Sequence, residues 1–406
     1  MTDPREDVVA RQYDRWTYPE PIQNLEGWLR HSWQRFDPSH SHRIFWPDRP
    51  YQADIDILIA GCGTNQAAVF AYNNRAAQVV AIDVSQSAID HEQYLKDKYS
   101  LKNLELHHLP IEEVGTLGRD FDLVVSTGVL HHLAEPEVGM KALADVLRPA
   151  GVVGIMLYAL YGRTGVESMQ GVFREMGLTQ DEESLHMVKQ AIAVLPQTHP
   201  LRSYLAIAPD LEFDAGLVDT FLHGRDRAYS VEDCLELVAG AGLVFQDWLL
   251  NTSYHPPTLV NPDIEFYAAV DQLPREKMWS VMERINTQNA CHFFMATRAD
   301  RDPDSYRIDF DDDRALDYVP LFRLRSDLAG DEIFRPGWRL RLSPAHLAFV
   351  REIDAERSIR DIAKKVAASG VVAGDQSEVE EIGLDLFEGL WQTDFVAINL
   401  SRVPES

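Results

Sequence analysis

The stretch Ile55-Asp-Ile-Leu-Ile-Ala-Gly-Cys-Gly-Thr-Asn-Gln66 constrains the fold of this chain more than any other. Its first half is apolar, with three isoleucines and no periodic polar break, and reads as a parallel strand buried on both faces. Gly61 and Gly63 then open a tight turn into a helix starting near Asn65, and glycine at both positions lets the backbone pass close to a ligand. A second apolar run, 78–82, ends at Asp83, twenty-two residues after Gly61. A carboxylate there can accept hydrogen bonds from both hydroxyls of a ribose, so the implied ligand contains a nucleoside. A dinucleotide is the weaker expectation, because Gln66 stands where such a fold needs Gly or Ala for pyrophosphate approach. An NAD-dependent dehydrogenase is disfavoured on the same ground.

Two later segments extend the pattern: Phe121-Asp-Leu-Val-Val-Ser-Thr-Gly-Val-Leu-His-His-Leu133 and Leu147-Arg-Pro-Ala-Gly-Val-Val-Gly-Ile-Met-Leu157. With the glycine turn and Asp83 they follow the order and spacing of class I S-adenosylmethionine (SAM) methyltransferases, which residues 51–298 resemble. The resemblance implies an α/β fold, a doubly wound seven-stranded Rossmann-like sheet with helical cap insertions, whose last strand enters antiparallel between strands five and six. It implies SAM as cofactor. Gly61, Cys62, Gly63, Thr64 and Asn65 would approach its ribose and methionine, with Asp83 and Val84 at the ribose. Leu109 would sit in the adenine loop, and Thr127, Gly128 and Val129 along the methionine. The acidic residue common on that adenine loop is missing, which leaves the adenine contacts largely apolar or made by backbone, with Glu112 or Glu113 as the alternative polar partner.

Charge narrows the acceptor. The 406 residues carry 64 acidic and 38 basic side chains, a formal charge of -26, and such a surface repels phosphate backbones. A nucleic-acid substrate is therefore not expected. Cys62, Cys234 and Cys291 are scattered without metal-ligand spacing, so neither a metal site nor a disulfide framework is expected. No apolar stretch approaches the roughly 18 residues of a membrane span, and no signal-peptide core is present. The expectation is a cytoplasmic protein with no membrane partner.

Residues 1–50 are dense in aromatics, with helical phasing over 5–16 and 22–36. They serve either as an ordinary cap or as a lid that excludes water from the cofactor. Gln12-Tyr13 followed by Tyr18-Pro19 resembles the pattern ahead of methyltransferase domains often fused to tetratricopeptide repeats, with Asp14 in place of its Glu. That resemblance implies Tyr13 near the cofactor and Tyr18 near the substrate.

Beyond the fifth strand the chain departs on a long excursion, 160–230, expected as a substrate cap. Residues 165–215 look helical with a break at 196–200, and 218–229 reads as a polar loop before the capped helix 231–241. That loop, which also resembles the region after the fifth strand in the repeat-associated methyltransferases, is either the acceptor site or a hinge in which Arg227 and Asp219 tie the insertion to the sheet. A hydroxyl or amine acceptor would want a base, for which His131, Tyr158, His223 and Tyr229 are candidates. A carboxylate acceptor would instead want Arg163 or Arg227 as a clamp, with Tyr161 beside them. Strands are expected at 243–250 and 291–297, with helical structure at 263–286 between them.

An acidic, proline-punctuated connector, 299–316, leads to 317–406. There short strands at 318–325 and 338–342 precede helices at 344–354, 358–368 and 377–391 and a strand at 395–400. This segment resembles the small α+β winged-helix-like fold of the pyrroloquinoline-quinone peptide-chaperone family, whose domains recognise peptides by strand addition. It is otherwise a packing module or the contact of a homodimer. The expected whole is a lid (1–50), a methyltransferase domain (51–298), a linker (299–316) and an accessory domain (317–406). The expected activity is methyl transfer from SAM to an O, N or C acceptor on a small metabolite or peptide. The alternative is a SAM-binding regulatory or scaffolding protein.

Overall fold

A computed structural model describes residues 4–400. Seven strands form one sheet: β1 (Asp56–Ala60), β2 (Gln78–Asp83), β3 (Leu104–His108), β4 (Phe121–Thr127), β5 (Leu147–Tyr158), β6 (Leu243–Trp248) and β7 (Cys291–Arg298), in the order β3-β2-β1-β4-β5-β7-β6. The first five are parallel neighbours, and β7 runs antiparallel to β5. Ile57, Leu58, Ile59 and Ala60 are fully buried, as an uninterrupted apolar strand with helices over both faces requires. This is the doubly wound, Rossmann-like sheet expected from the sequence.

The chain order reverses at β1, where β2 lies on one side and β4 on the other, so a crevice opens at their carboxyl ends. Two devices hold its rim. The helix Gln66–Asn73 lacks a side-chain cap on Asn65, and the buried Glu92 supplies the acceptors instead, its two oxygens each taking a backbone N–H, from Ala67 and Ala68, at 2.9 Å. The helix Gln86–Lys98 after β2 is capped by Ser85, whose hydroxyl accepts from Ala88 N.

Several elements depart from their expected limits. Only Leu25–Leu29 is helical within 22–36; beyond it Gln34 bonds Asn65 and Gln66, and the Asp37 carboxylate accepts from Asn73 and Asn74. The helix Asp214–Phe221 extends into the segment expected as loop from residue 218, so Asp219 is on a helix and buried. The hinge pairing of Arg227 with Asp219 does not form. Arg227 lies at the surface beside Glu137 and Asp233.

Contacts divide the chain into two compact units, 1–37 with 53–245 and 283–300, and 38–52 with 246–282 and 301–406. The second therefore takes in more than the expected accessory domain. The Asp394 carboxylate explains part of this, accepting from Asn251 N at 2.8 Å, Thr252 N at 3.1 Å and Arg323 Nη1 at 2.7 Å. Within this unit, Val319–Phe322 pairs with Val396–Asn399, and Asp327–Ala329, Glu332–Arg335 and Trp338–Arg341 form a three-stranded meander beside the helices Pro344–Val350, Ile359–Ser369 and Gln376–Gln392. Two of those strands, Asp327–Ala329 and Glu332–Arg335, escape sequence reading because they are short and interrupted by charges, one of three positions in the first and two of four in the second. No helix among the described residues is long and apolar enough to cross a membrane.

Burial pushes the Glu92 carboxyl up to about 8, against an ordinary value near 4.5. The native state then holds a proton through the interval where the unfolded chain has lost it, so stability falls as pH rises from about 4.5 towards 8. Urea unfolding at a series of pH values should show a shallower decline for Glu92→Gln than for the parent. Parallel slopes would contradict the assignment.

Candidate active site

A cavity of about 500 Å³ lies at the carboxyl ends of β1, β2, β4 and β5, walled by the N-terminal segment and the 160–221 excursion. The glycine turn is its floor. Gly61 has φ +79°, and a Cβ there would fall 2.3 Å from Val129 Cγ2, so the β1 and β4 loops close on each other only because Gly61 has no side chain. Gly63, at φ +54°, passes so close under Pro19 that a Cβ there would crowd Pro19 Cδ at 3.0 Å.

Asp83 ends β2 in this floor. Its Oδ2 accepts from Gly63 N and its Oδ1 from Ser85 N, both at 2.9 Å, which leaves one lone pair on each oxygen for a ligand. Burial pushes its carboxyl above the usual range, against the pull of those N–H groups. Cys62, Asn65, Val84 and Leu109 also line the cavity, as do Thr127, Gly128 and Val129. Thr64 does not. It is buried, and its hydroxyl donates to Pro19 O at 2.8 Å, tying the glycine turn to the N-terminal segment. Glu113, one of the two candidate adenine partners, is paired with Arg5 at 2.6 Å.

Gln66, weighed in the sequence only as an obstacle to pyrophosphate, is itself a lining residue. Its amide donates to Gln34 Oε1 at 3.2 Å and Thr127 Oγ1 at 3.1 Å, while Gln34 donates to Asn65 at 3.4 Å. A cluster of neutral amides and a hydroxyl suits a zwitterionic amino-acid group, since it offers donors and acceptors together.

The opposite wall is built from the N-terminal segment, the end of β5 and the excursion. Tyr13 and Tyr158 both donate to the Asp219 carboxylate, at 2.9 and 3.3 Å, and Tyr18 donates to Asp210 at 3.1 Å. All five line the cavity, together with Tyr204. Tyr13 therefore lines the cavity with its hydroxyl held by Asp219.

Of the two adjacent histidines, His132 and not the candidate base His131 lines the cavity. His131 is fully buried behind Tyr158, stacked on its ring at 3.9 Å with Nδ1 accepting from Tyr158 N, and lies outside the lining. Burial drives its pKa well below the ordinary range, so it stays neutral. His132 lines the cavity instead. Its Nδ1 is 2.9 Å from Arg225 O, and since a carbonyl only accepts, the proton of the neutral ring is on Nδ1 and Nε2 carries the lone pair. That Nε2 has no hydrogen-bond partner. Nothing in the sequence distinguishes the two adjacent histidines, because the turn Leu130–His132 that aims them is irregular.

The remaining candidates lie outside the cavity lining. His223 stacks on His132 at 3.8 Å and its Nδ1 accepts from Arg225 N, so the ring is neutral with the proton on Nε2; burial holds its pKa well below the ordinary range. Tyr229 is buried under Arg227 and Tyr161 packs on Arg284. Arg163 is buried against Asp226 and Tyr204, 3.6 Å from the Tyr158 ring centroid. Ligating atoms of His132, Asp219 and His223 converge within 4.8 Å, but hydrogen bonding leaves His223 Nε2 protonated beside Tyr13 and the His132 and His223 rings stacked, an arrangement that does not present both lone pairs to one ion.

Residues 58–153 match the protein family described as "Methyltransferase domain". The chain carries a SAM-dependent methyltransferase domain. Its cofactor is SAM, and the carboxylate of Asp83, the open glycine turn and the amide cluster of Gln34, Asn65 and Gln66 fit the ribose and amino-acid ends of that molecule. An uncharacterized protein of Synechococcus sp. is 25% identical over 370 residues, 87% of this chain and 86% of that one. The tRNA 5-carboxymethoxyuridine methyltransferase of Escherichia coli (strain K12) is 30% identical over 166 residues, 40% of this chain; the methyltransferase chain described here spans 59% of that enzyme's length. In fold it is similar to PKMT2 from Rickettsia typhi, with TM-score 0.66 and 14% identity over 95% of this chain and 78% of that one. The same protein in complex with AdoHcy gives TM-score 0.62 and 16% identity, over 91% and 76%.

Asp83→Ala should weaken AdoHcy binding at least roughly tenfold, the loss of a doubly accepting charged group costing about 1.5–3 kcal/mol. Calorimetric titration checks this, and unchanged affinity would remove Asp83 from the ribose site.

Proposed function

We propose that this domain transfers the SAM methyl group to a nucleophile that must lose a proton, with His132 as the general base. The observation that carries this reading is the His132 ring, which lines the cavity with its Nδ1–H fixed on the Arg225 carbonyl and its buried Nε2 left without a hydrogen-bond partner. Asp226 Oδ1 lies 3.8 Å from that Nδ1 and would stabilise the ring once it takes a proton. When bound, SAM supplies an electrophilic methyl on a sulfonium. The protein contributes alignment and exclusion of water, through the Tyr13 and Tyr18 wall over the glycine turn.

Both candidate arginine clamps stand away from the cavity. Arg163 is satisfied by Asp226 and Tyr204, and Arg227 is exposed beside Glu137 and Asp233, which favours a protic acceptor over a carboxylate. The Escherichia coli relative is named for a tRNA nucleoside, yet a formal charge of -26 disfavours a tRNA substrate here. A small metabolite or a peptide side chain fits better. In this reading the N-terminal segment is the lid, the 160–221 excursion the acceptor cap, and the C-terminal part a winged-helix-like accessory module that presents a substrate or pairs two copies.

Incubation with methyl-labelled SAM and size-fractionated cell extract tests the proposal. Label should enter an acceptor with the parent protein. His132→Ala should lower the rate by roughly 10²–10⁴-fold with AdoHcy affinity retained. No transfer, or equal rates, would contradict it.

A further inference from the structure

Resting on the methyl-transfer reading, we infer that the acceptor group is a cationic amine, received by Asp219 and Asp210 beside His132. Asp219 is 2% exposed and lines the cavity. It accepts from the Tyr13 and Tyr158 hydroxyls and, at 3.5 Å, from Gln12 Nε2, all neutral donors. Among the described residues no lysine or arginine makes an ion pair with it or with Asp210. Arg163, whose charge reaches the region, is committed to Asp226 and lies outside the lining. A buried carboxylate without a cation costs free energy that an entering cation recovers. Burial accordingly raises the Asp219 pKa. Both faces of the Tyr158 ring are covered, by Arg163 and His131, so its part is to hold the carboxylate by its hydroxyl.

Placement separates this group from the cofactor half. The ribose and amino-acid contacts are on the ends of β1, β2 and β4, whereas Asp210 and Asp219 come from the excursion after β5. A ring nitrogen of His132 and a carboxylate oxygen of Asp219 are within 4.8 Å, a span that one ammonium bridges once it enters beside the buried Nε2. It gives one proton to the His132 lone pair and stays on Asp219 as a neutral amine. A carboxylate acceptor would meet two like charges there, and an alcohol would leave Asp219 without its cation.

The competing source of positive charge is the ammonium of the cofactor itself, and the experiment separates the two. Protein saturated with AdoHcy is titrated at neutral pH with n-butylamine, n-butanol and butyrate, following tyrosine fluorescence. The amine should bind roughly tenfold more tightly than either analogue, as expected for one charge-assisted contact. Asp219→Asn should erase that preference and leave AdoHcy affinity unchanged, and Asp210→Asn, at a less buried position, should reduce it. Absent amine binding, equal or tighter binding of butanol or butyrate, or a preference that survives Asp219→Asn would overturn the inference. Loss of AdoHcy affinity in Asp219→Asn would also overturn it, by assigning Asp219 to the cofactor, while methyl transfer stood. Failure of the parent to bind AdoHcy would instead sink the methyl-transfer reading.

Discussion

The Asp83 carboxylate is the interaction on which this site depends. Its two oxygens receive the backbone N–H groups of Gly63 and Ser85, and so lock the turn after β1 to the turn after β2. Leu109 N adds the third loop by donating to Asp83 O. One residue thereby fixes three loops at the carboxyl edge of the sheet, and still presents a lone pair on each carboxylate oxygen to the crevice. Gly61 and Glu92 support the arrangement from either side, the first by admitting Val129 and the second by satisfying the start of the helix that follows.

The two walls of the cavity are built on different principles. The wall around the glycine turn uses backbone groups, neutral amides and one carboxylate. The opposite wall uses phenols and carboxylates from the excursion and the N-terminal segment. It is held from behind by a buried polar chain in which Arg163 binds Asp226, Gln170 donates to Asp226 and to Thr220 O, and Tyr204 accepts from Arg163. A network of that kind gives the wall rigidity, although Asp226 Oδ1 has no hydrogen-bond partner.

This contrast also explains what was legible in the sequence. The sheet, the glycine turn and Asp83 announce themselves because strand burial and tight turns demand particular residues at fixed local spacing. Asp219, Asp210 and Tyr204 do not, since their meeting with Tyr13 and Tyr18 spans about two hundred positions of sequence and depends on helices that any amphipathic pattern could build. His131 is one of four candidate bases in the sequence, yet its neighbour His132 lines the cavity, because a single 3₁₀ turn decides which ring faces inward. Gln66 was legible as a residue type but not as a contact. The second compact unit was half legible: its helices follow their apolar periodicity, while its ties to residues 251–252 run through the side chain of Asp394.

The measurement that tests the central claim most directly is calorimetric titration of the full chain with AdoHcy and, separately, with NAD. A cavity organised by Asp83 and the glycine turn for a single nucleoside predicts saturable one-to-one binding of AdoHcy and no response to NAD. Binding of NAD, or no heat from AdoHcy, would contradict it.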